Sequence, residues 1–72
     1  MVRLGSVKPK EFIRKLQRFG FAVDHQTGSH VILHHPNGTR LTVPYHAREM
    51  KRGLLAALLK QAGLSIEEFN GL

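Results

Sequence analysis

The spacing of apolar residues changes twice along the chain, and those changes decide what it can fold into. Between Pro9 and Phe19 the apolar side chains Phe12, Ile13, Leu16 and Phe19 recur every three or four residues, the period of one helix face. From Phe21 to Val43 the period falls to two. Phe21 and Val23, Val31 and Leu33, and Leu41 and Val43 mark three short strands, separated by Gln26-Thr27-Gly28 and Pro36-Asn37-Gly38. From Arg52 to Ala62 the helical period returns in Leu54, Leu55, Leu58, Leu59 and Ala62. Helix, strand, strand, strand, helix predicts a two-layer α+β fold, an antiparallel three-stranded sheet with both helices on one face. At 72 residues there is room for one domain with one modest core, spanning 1–72.

Local signals set the boundaries. Lys8 precedes a proline and is pushed out of helical geometry, Pro9 suits a first helical position, and Glu11 complements the positive end of the helix dipole. Gly20 is a left-handed stop that lets Phe21 fold back on Leu16, Pro44 ends the third strand, and Gly63 closes the second helix. Ser65-Ile66-Glu67-Glu68 has the form of a capping box and predicts a short terminal helical turn with Leu64 and Phe69 packed inward. Tyr45 to Met50 reads as a connection over the surface.

Three-residue hairpin loops with glycine in the left-handed position fit both strand connections and predict a register. It sets Val23 opposite Val31, Phe21 opposite Leu33, Leu33 opposite Leu41 and Val31 opposite Val43, so the large apolar pairs share one face. The other face then carries Ala22, Asp24, His30, Ile32, His34, Arg40 and Thr42, more titratable and cationic than solubility requires. In this register Asp24 stands directly across from His30, where a carboxylate can orient an imidazole, and Pro44 stands opposite His30 on its other side, bringing His46 close as a second acid. His34 and His35 read as surface residues.

The formal charge is +6, distributed as +5 over residues 1–20, −1 over 21–38, +4 over 39–62 and −2 over 63–72. Two basic segments thus flank the Gly28-Ser29-His30 stretch, which favours a polyanionic partner, nucleic acid above others. On the first helix Lys10, Arg14 and Arg18 form a basic row opposite the apolar stripe, and Arg40, Arg48, Lys51 and Arg52 add cations from the second basic segment. All seven are candidate phosphate contacts. There are no cysteines, no apolar run long enough to span a membrane and no signal-peptide pattern, so a soluble cytoplasmic protein is expected.

Among catalytic chemistries, a shared metal is opposed by geometry. Residues four apart on a strand lie roughly 13 Å apart, whereas a zinc ion sits about 2 Å from each ligand, so His30 and His34 cannot hold one ion. Only a site joining His30 to distant His46 escapes that argument, and no cofactor is expected. A serine nucleophile fares worse, because Ser29 adjoins His30 and points to the opposite side of a strand. Acid–base cleavage of RNA needs less: the substrate's 2′-hydroxyl is the nucleophile once a base removes its proton, and cations stabilise the charge on phosphorus. His30, fixed at the entrance of a strand, suits that role.

Several ordered segments resemble the HicA-type toxins, small mRNA interferases of bacterial and archaeal toxin–antitoxin pairs. They are Leu16-Gln-Arg-Phe19-Gly20-Phe21 closing the first helix, Gly28-Ser29-His30 opening the second strand, Val43-Pro44-Tyr-His46 after the third, and Lys51-Arg52-Gly53-Leu54-Leu55 through Gln61-Ala62-Gly63-Leu64. The resemblance covers nearly the whole chain. It implies a fold similar to a double-stranded-RNA-binding domain, metal-independent cleavage of mRNA with the histidine of the Gly-Ser-His motif, here His30, as catalytic residue, and neutralisation by a HicB-type antitoxin. No motif of the family carries Asp24, His46 or the individual cations across, and their roles rest on the residues alone. The alternative is a non-catalytic RNA-binding module of the same double-stranded-RNA-binding fold, in which His30 only contacts phosphate. Tyr45 is the one aromatic expected at the surface, which makes base-stacking recognition weak, and a helix-turn-helix DNA-binding reading lacks its second helix.

Overall fold

The computed structural model describes residues 5–45 and 48–72, so His46 lies outside the described residues. The elements follow the order read from the periodicity: α1 (Pro9–Phe19), β1 (Ala22–Thr27), β2 (His30–His34), β3 (Arg40–Pro44), α2 (Arg52–Ala62) and α3 (Ile66–Asn70). The strands form one antiparallel sheet in the order β1-β2-β3. Val31, Leu33, Leu41 and Val43 turn to one face and join Phe12, Leu16, Leu55, Leu59 and Phe69 in a single core. The result is an α+β fold with helices on one side of the sheet, consistent with the double-stranded-RNA-binding type.

The helix ends behave as their sequences dictate. The Phe21 N–H donates to the Leu16 carbonyl (2.9 Å) and the Gly20 N–H to the Gln17 carbonyl (3.1 Å), the paired closure that positive φ at Gly20 permits. The end of α2 repeats it, with Leu64 donating to Leu59 and Gly63 to Lys60. Ser65 caps α3 through a complete capping box: its hydroxyl accepts from the Glu68 N–H, and the Glu68 carboxylate accepts from the Ser65 N–H.

The β2–β3 hairpin has the expected three-residue loop and register, with Leu33 opposite Leu41 and Val31 opposite Val43. The β1–β2 hairpin does not. Thr27 pairs with His30, so the loop is the two residues Gly28 and Ser29. Gly28 has φ 57° and Ser29 is not in the positive-φ region, the pattern of a type II′ turn with glycine first, whose twist matches that of the strands it joins. A two-residue loop continued without interruption would place Asp24, not Val23, on the helix side. A bulge between Val23 and His25 corrects this, and Val23 stands opposite Leu33.

Three further expectations are corrected by packing. Phe21 is buried just ahead of β1 instead of pairing within it, because its N–H is committed to the helix end. Leu54 and Val23 are 37% and 45% exposed, since Leu54 lies off the buried stripe of α2 and β1 is an edge strand at the limit of the helix layer. Met50 is buried and its N–H donates to the Val7 carbonyl (2.7 Å), so the connection into α2 is anchored at that point instead of lying wholly on the surface.

Phe12 is fully buried, with its ring 5.5 Å from that of Phe69. Truncating such a residue removes transfer free energy and leaves a cavity, about 3–5 kcal/mol, against a net stability of about 5 kcal/mol for a domain this small. Phe12→Ala should therefore be largely unfolded at 37 °C, whereas Ser65→Ala should lose only about 1 kcal/mol. Urea unfolding followed by circular dichroism checks both, and a Phe12→Ala midpoint near that of the wild type would contradict the assignment of the core.

Candidate active site

Because the helices take one face of the sheet, the other is left bare by the described residues. It carries Ala22, His25 and Thr27 from β1, His30, Ile32 and His34 from β2, and Arg40, Thr42 and Pro44 from β3, as the strand pairing requires. His30 is the first residue of β2, with Thr27 across on one side and Pro44 on the other. The Tyr45 N–H donates to the Ser29 carbonyl (2.5 Å), tying the end of β3 to the turn that presents His30. The His30 side chain is exposed, and among the described residues its ring makes no hydrogen bond or ion pair. An imidazole held by backbone on both flanks, with no described residue hydrogen-bonded to its nitrogens, is open to a substrate.

Asp24 does not stand across from His30. It occupies the bulge, and its Oδ2 accepts from His25 Nδ1 (2.8 Å) and from the Arg40 guanidinium (3.0 Å). An ionised carboxylate only accepts, so Nδ1 of His25 carries hydrogen. The hydrogen bond with His25 holds the Asp24 carboxyl below its ordinary range; partial desolvation opposes it as the next-largest effect, and the charges of His25 and Arg40 and the Arg40 hydrogen bond add smaller lowering contributions. His25 was not among the residues singled out from sequence as site candidates. The missed signal is the bulge: neighbours on a regular strand point to opposite faces, and only an extra residue lets Asp24 and His25 serve one.

The structure separates the remaining candidates. Lys10, Arg14 and Arg18 lie on the exposed side of α1, opposite buried Phe12, Ile13 and Leu16, and so face away from the sheet. Arg14 is also engaged by Glu11 at 2.6 Å. Arg40 alone of the seven cations projects from the face that holds His30, where it is paired with Asp24. Arg48 and Lys51 line a hollow of about 320 Å³ with Pro44, Glu49, Met50 and Leu54; Pro44 is the register partner of His30, but His30 itself does not line it. Arg52 is exposed at the start of α2.

His34 is exposed as expected, but His35 is not a plain surface residue. Its ring lies 4.9 Å from Phe21 and 5.8 Å from Phe19, and Nδ1 accepts from the Asn37 N–H (3.1 Å). It packs over Gly20, where an added Cβ would meet His35 Nε2 at 2.9 Å. Among the described residues no group of three or more His, Cys, Asp or Glu side chains is placed to hold a metal ion, and no helix is long and apolar enough to cross a membrane.

A family model described as the HicA toxin of bacterial toxin–antitoxin systems matches residues 9–64, from the first residue of α1 to the residue after Gly63. No curated protein matches the chain.

The cause of the Asp24 shift can be checked directly. A depressed carboxyl contributes stability that is present above its unfolded value near 3.8 and is lost as pH falls through the lower folded value. Carbon-detected NMR titration should find Asp24 titrating below that value. Because the hydrogen bond with His25 is the largest cause, His25→Ala should move the titration upward more than Arg40→Ala does. The reverse order would show that the guanidinium dominates.

Proposed function

Since the chain belongs to the HicA toxin family of bacterial toxin–antitoxin systems, we propose that it is an endoribonuclease that cleaves mRNA in the cytoplasm by metal-independent acid–base chemistry, with His30 as a catalytic residue. The observation that carries this reading is the setting of His30: exposed at the start of a strand, fixed by the Gly28-Ser29 turn and the Tyr45 N–H, and standing on the uncovered face of a chain at +6. RNA supplies its own nucleophile. A base at His30 removes the proton of a 2′-hydroxyl, the oxygen attacks the adjacent phosphorus, and the products are a cyclic phosphate and a 5′-hydroxyl. The 2′-hydroxyl requirement restricts the chemistry to RNA, and the positive field raises the local concentration of substrate.

Phosphate contacts divide into two sets. Arg40, Arg48 and Lys51 are near enough to the bare face or its rim to engage the strand being cut. Lys10, Arg14 and Arg18 on the far side of α1, with Arg52 at the start of α2, serve RNA that continues around the edge of the domain. Neutralisation falls to a HicB-type antitoxin that covers the bare sheet face, where Ile32 and Tyr45 provide apolar contacts among polar ones and the net charge favours an acidic partner.

His30→Ala should abolish cleavage while retaining the fold and RNA binding, and wild-type cleavage should persist in EDTA. The same variant should still bind the antitoxin if cover is steric. RNA retained by a wild-type protein that never cuts it would favour a non-catalytic RNA-binding module, and a 5′-phosphate product would point to metal-activated water.

Neutralising Lys10, Arg14 and Arg18 together should flatten the salt dependence of RNA binding by about two to three units of log–log slope, the middle charge counting least because Glu11 holds it. Filter binding across a salt series measures this, and an unchanged slope would return the row to ordinary solvated surface.

A further inference from the structure

Proton-transfer cleavage of a phosphodiester needs two partners, one to take the 2′-proton and one to supply the 5′-oxygen, and the bare face holds a second histidine equipped for this. His25 stands opposite Ile32, and Ile32 is two residues from His30 on the same strand, so His25 and His30 are diagonal neighbours on one face. Side chains in that relation sit roughly 7–8 Å apart, a gap that admits a phosphodiester with a hydrogen bond of about 3 Å to each ring. The two rings differ in their surroundings. Among the described residues His30 has no side-chain partner, whereas His25 gives its Nδ1 hydrogen to Asp24, which also accepts from Arg40, so the ring is fixed in orientation and works through Nε2.

We propose that His25 is the second catalytic residue of the cleavage site, delivering through Nε2 the proton that the leaving 5′-oxygen requires, with Asp24 as its positioning residue. The inference rests on the reading of the chain as an endoribonuclease with His30 at its centre. The step balances: the 2′-hydroxyl gives its proton to neutral His30, the 2′-oxygen bonds to phosphorus, the bond from phosphorus to the 5′-oxygen breaks, and that oxygen takes a proton from protonated His25. His30 ends protonated and His25 neutral, with a 2′,3′-cyclic phosphate and a 5′-hydroxyl as products, and water returns the proton from one ring to the other. The bulge is what makes the arrangement available. On a regular strand Asp24 would face the helices when His25 faces solvent, and no carboxylate on β1 would reach the ring. Arg40, bonded to the same carboxylate oxygen, holds Asp24 on the outer side of the sheet, while His25 is the main cause that keeps it ionised.

The test uses an RNA oligonucleotide spanning a site that the wild-type protein cuts, and the same oligonucleotide with sulfur in place of the scissile 5′-oxygen. A thiolate leaves without a proton, so a missing general acid no longer matters. His25→Ala should cut ordinary RNA about 10²–10⁴-fold more slowly and recover to within about tenfold of wild type on the sulfur substrate. Asp24→Asn should show a smaller loss with the same recovery, and His30→Ala should stay inactive on both. His25 is exposed, so circular dichroism of the variants should match the wild type. Cleavage of ordinary RNA by His25→Ala within about threefold of wild type, or a loss that the sulfur substrate does not restore, overturns the assignment of His25 and leaves the role of His30 standing. A wild-type protein that cuts no RNA overturns both.

Discussion

The constraint from which the rest follows is that this chain carries helix enough to cover one face of its sheet and no more. Val31, Leu33, Leu41 and Val43 are almost fully withdrawn from water against α1 and α2, and each such side chain contributes about 1.5–3 kcal/mol. A register slip by one residue between β2 and β3 would expose half of that set and bury either two histidines or an arginine in its place, at a cost a domain of this size cannot bear. The alternation of the strands then fixes the composition of the bare face. His30, His34 and Arg40 are outside because their neighbours must be inside.

Most of the architecture was legible because it rests on strong, repeated signals. The 3.6-to-2-to-3.6 change of period located every principal element, and Pro9, Gly20, Gly63 and the Ser65–Glu68 box placed their ends. The first hairpin was not legible, for a specific reason. Gln26-Thr27-Gly28-Ser29 can close with a two- or a three-residue loop, and glycine satisfies the positive φ of either. The choice between them depends on how Val23 meets the helix layer, which is a tertiary matter, and the bulge at Asp24 is the adjustment that results.

That one ambiguity accounts for the error at the candidate site. The position of His30 at a strand entrance survived it, since the turn glycine and the strand beginning at His30 are local features. The partner of Asp24 did not, because cross-strand neighbours change with every residue of register. Likewise the basic row of α1 was correctly read as a face of its helix, but a helical wheel cannot say which side of the molecule that face will occupy. His35 was misjudged because its burial comes from Phe19, Phe21 and the bare backbone of Gly20, contacts between segments distant in sequence.

The bulge has a consequence for the molecule in a crowded solution. β1 is an edge strand whose six residues are all exposed, with Val23 half open to solvent, and such an edge is a template for pairing with another copy. An extra residue in the middle of that strand breaks the even spacing of its free N–H and C=O groups. It also gathers a carboxylate, an imidazole and a guanidinium beside the interruption. A second chain offering a regular strand would find no continuous ladder to extend, and would have to displace three hydrated polar groups to reach it. The distortion that assembles Asp24 and His25 thus also disfavours edge-to-edge pairing along β1, and straightening the strand by deleting one residue there removes that obstacle.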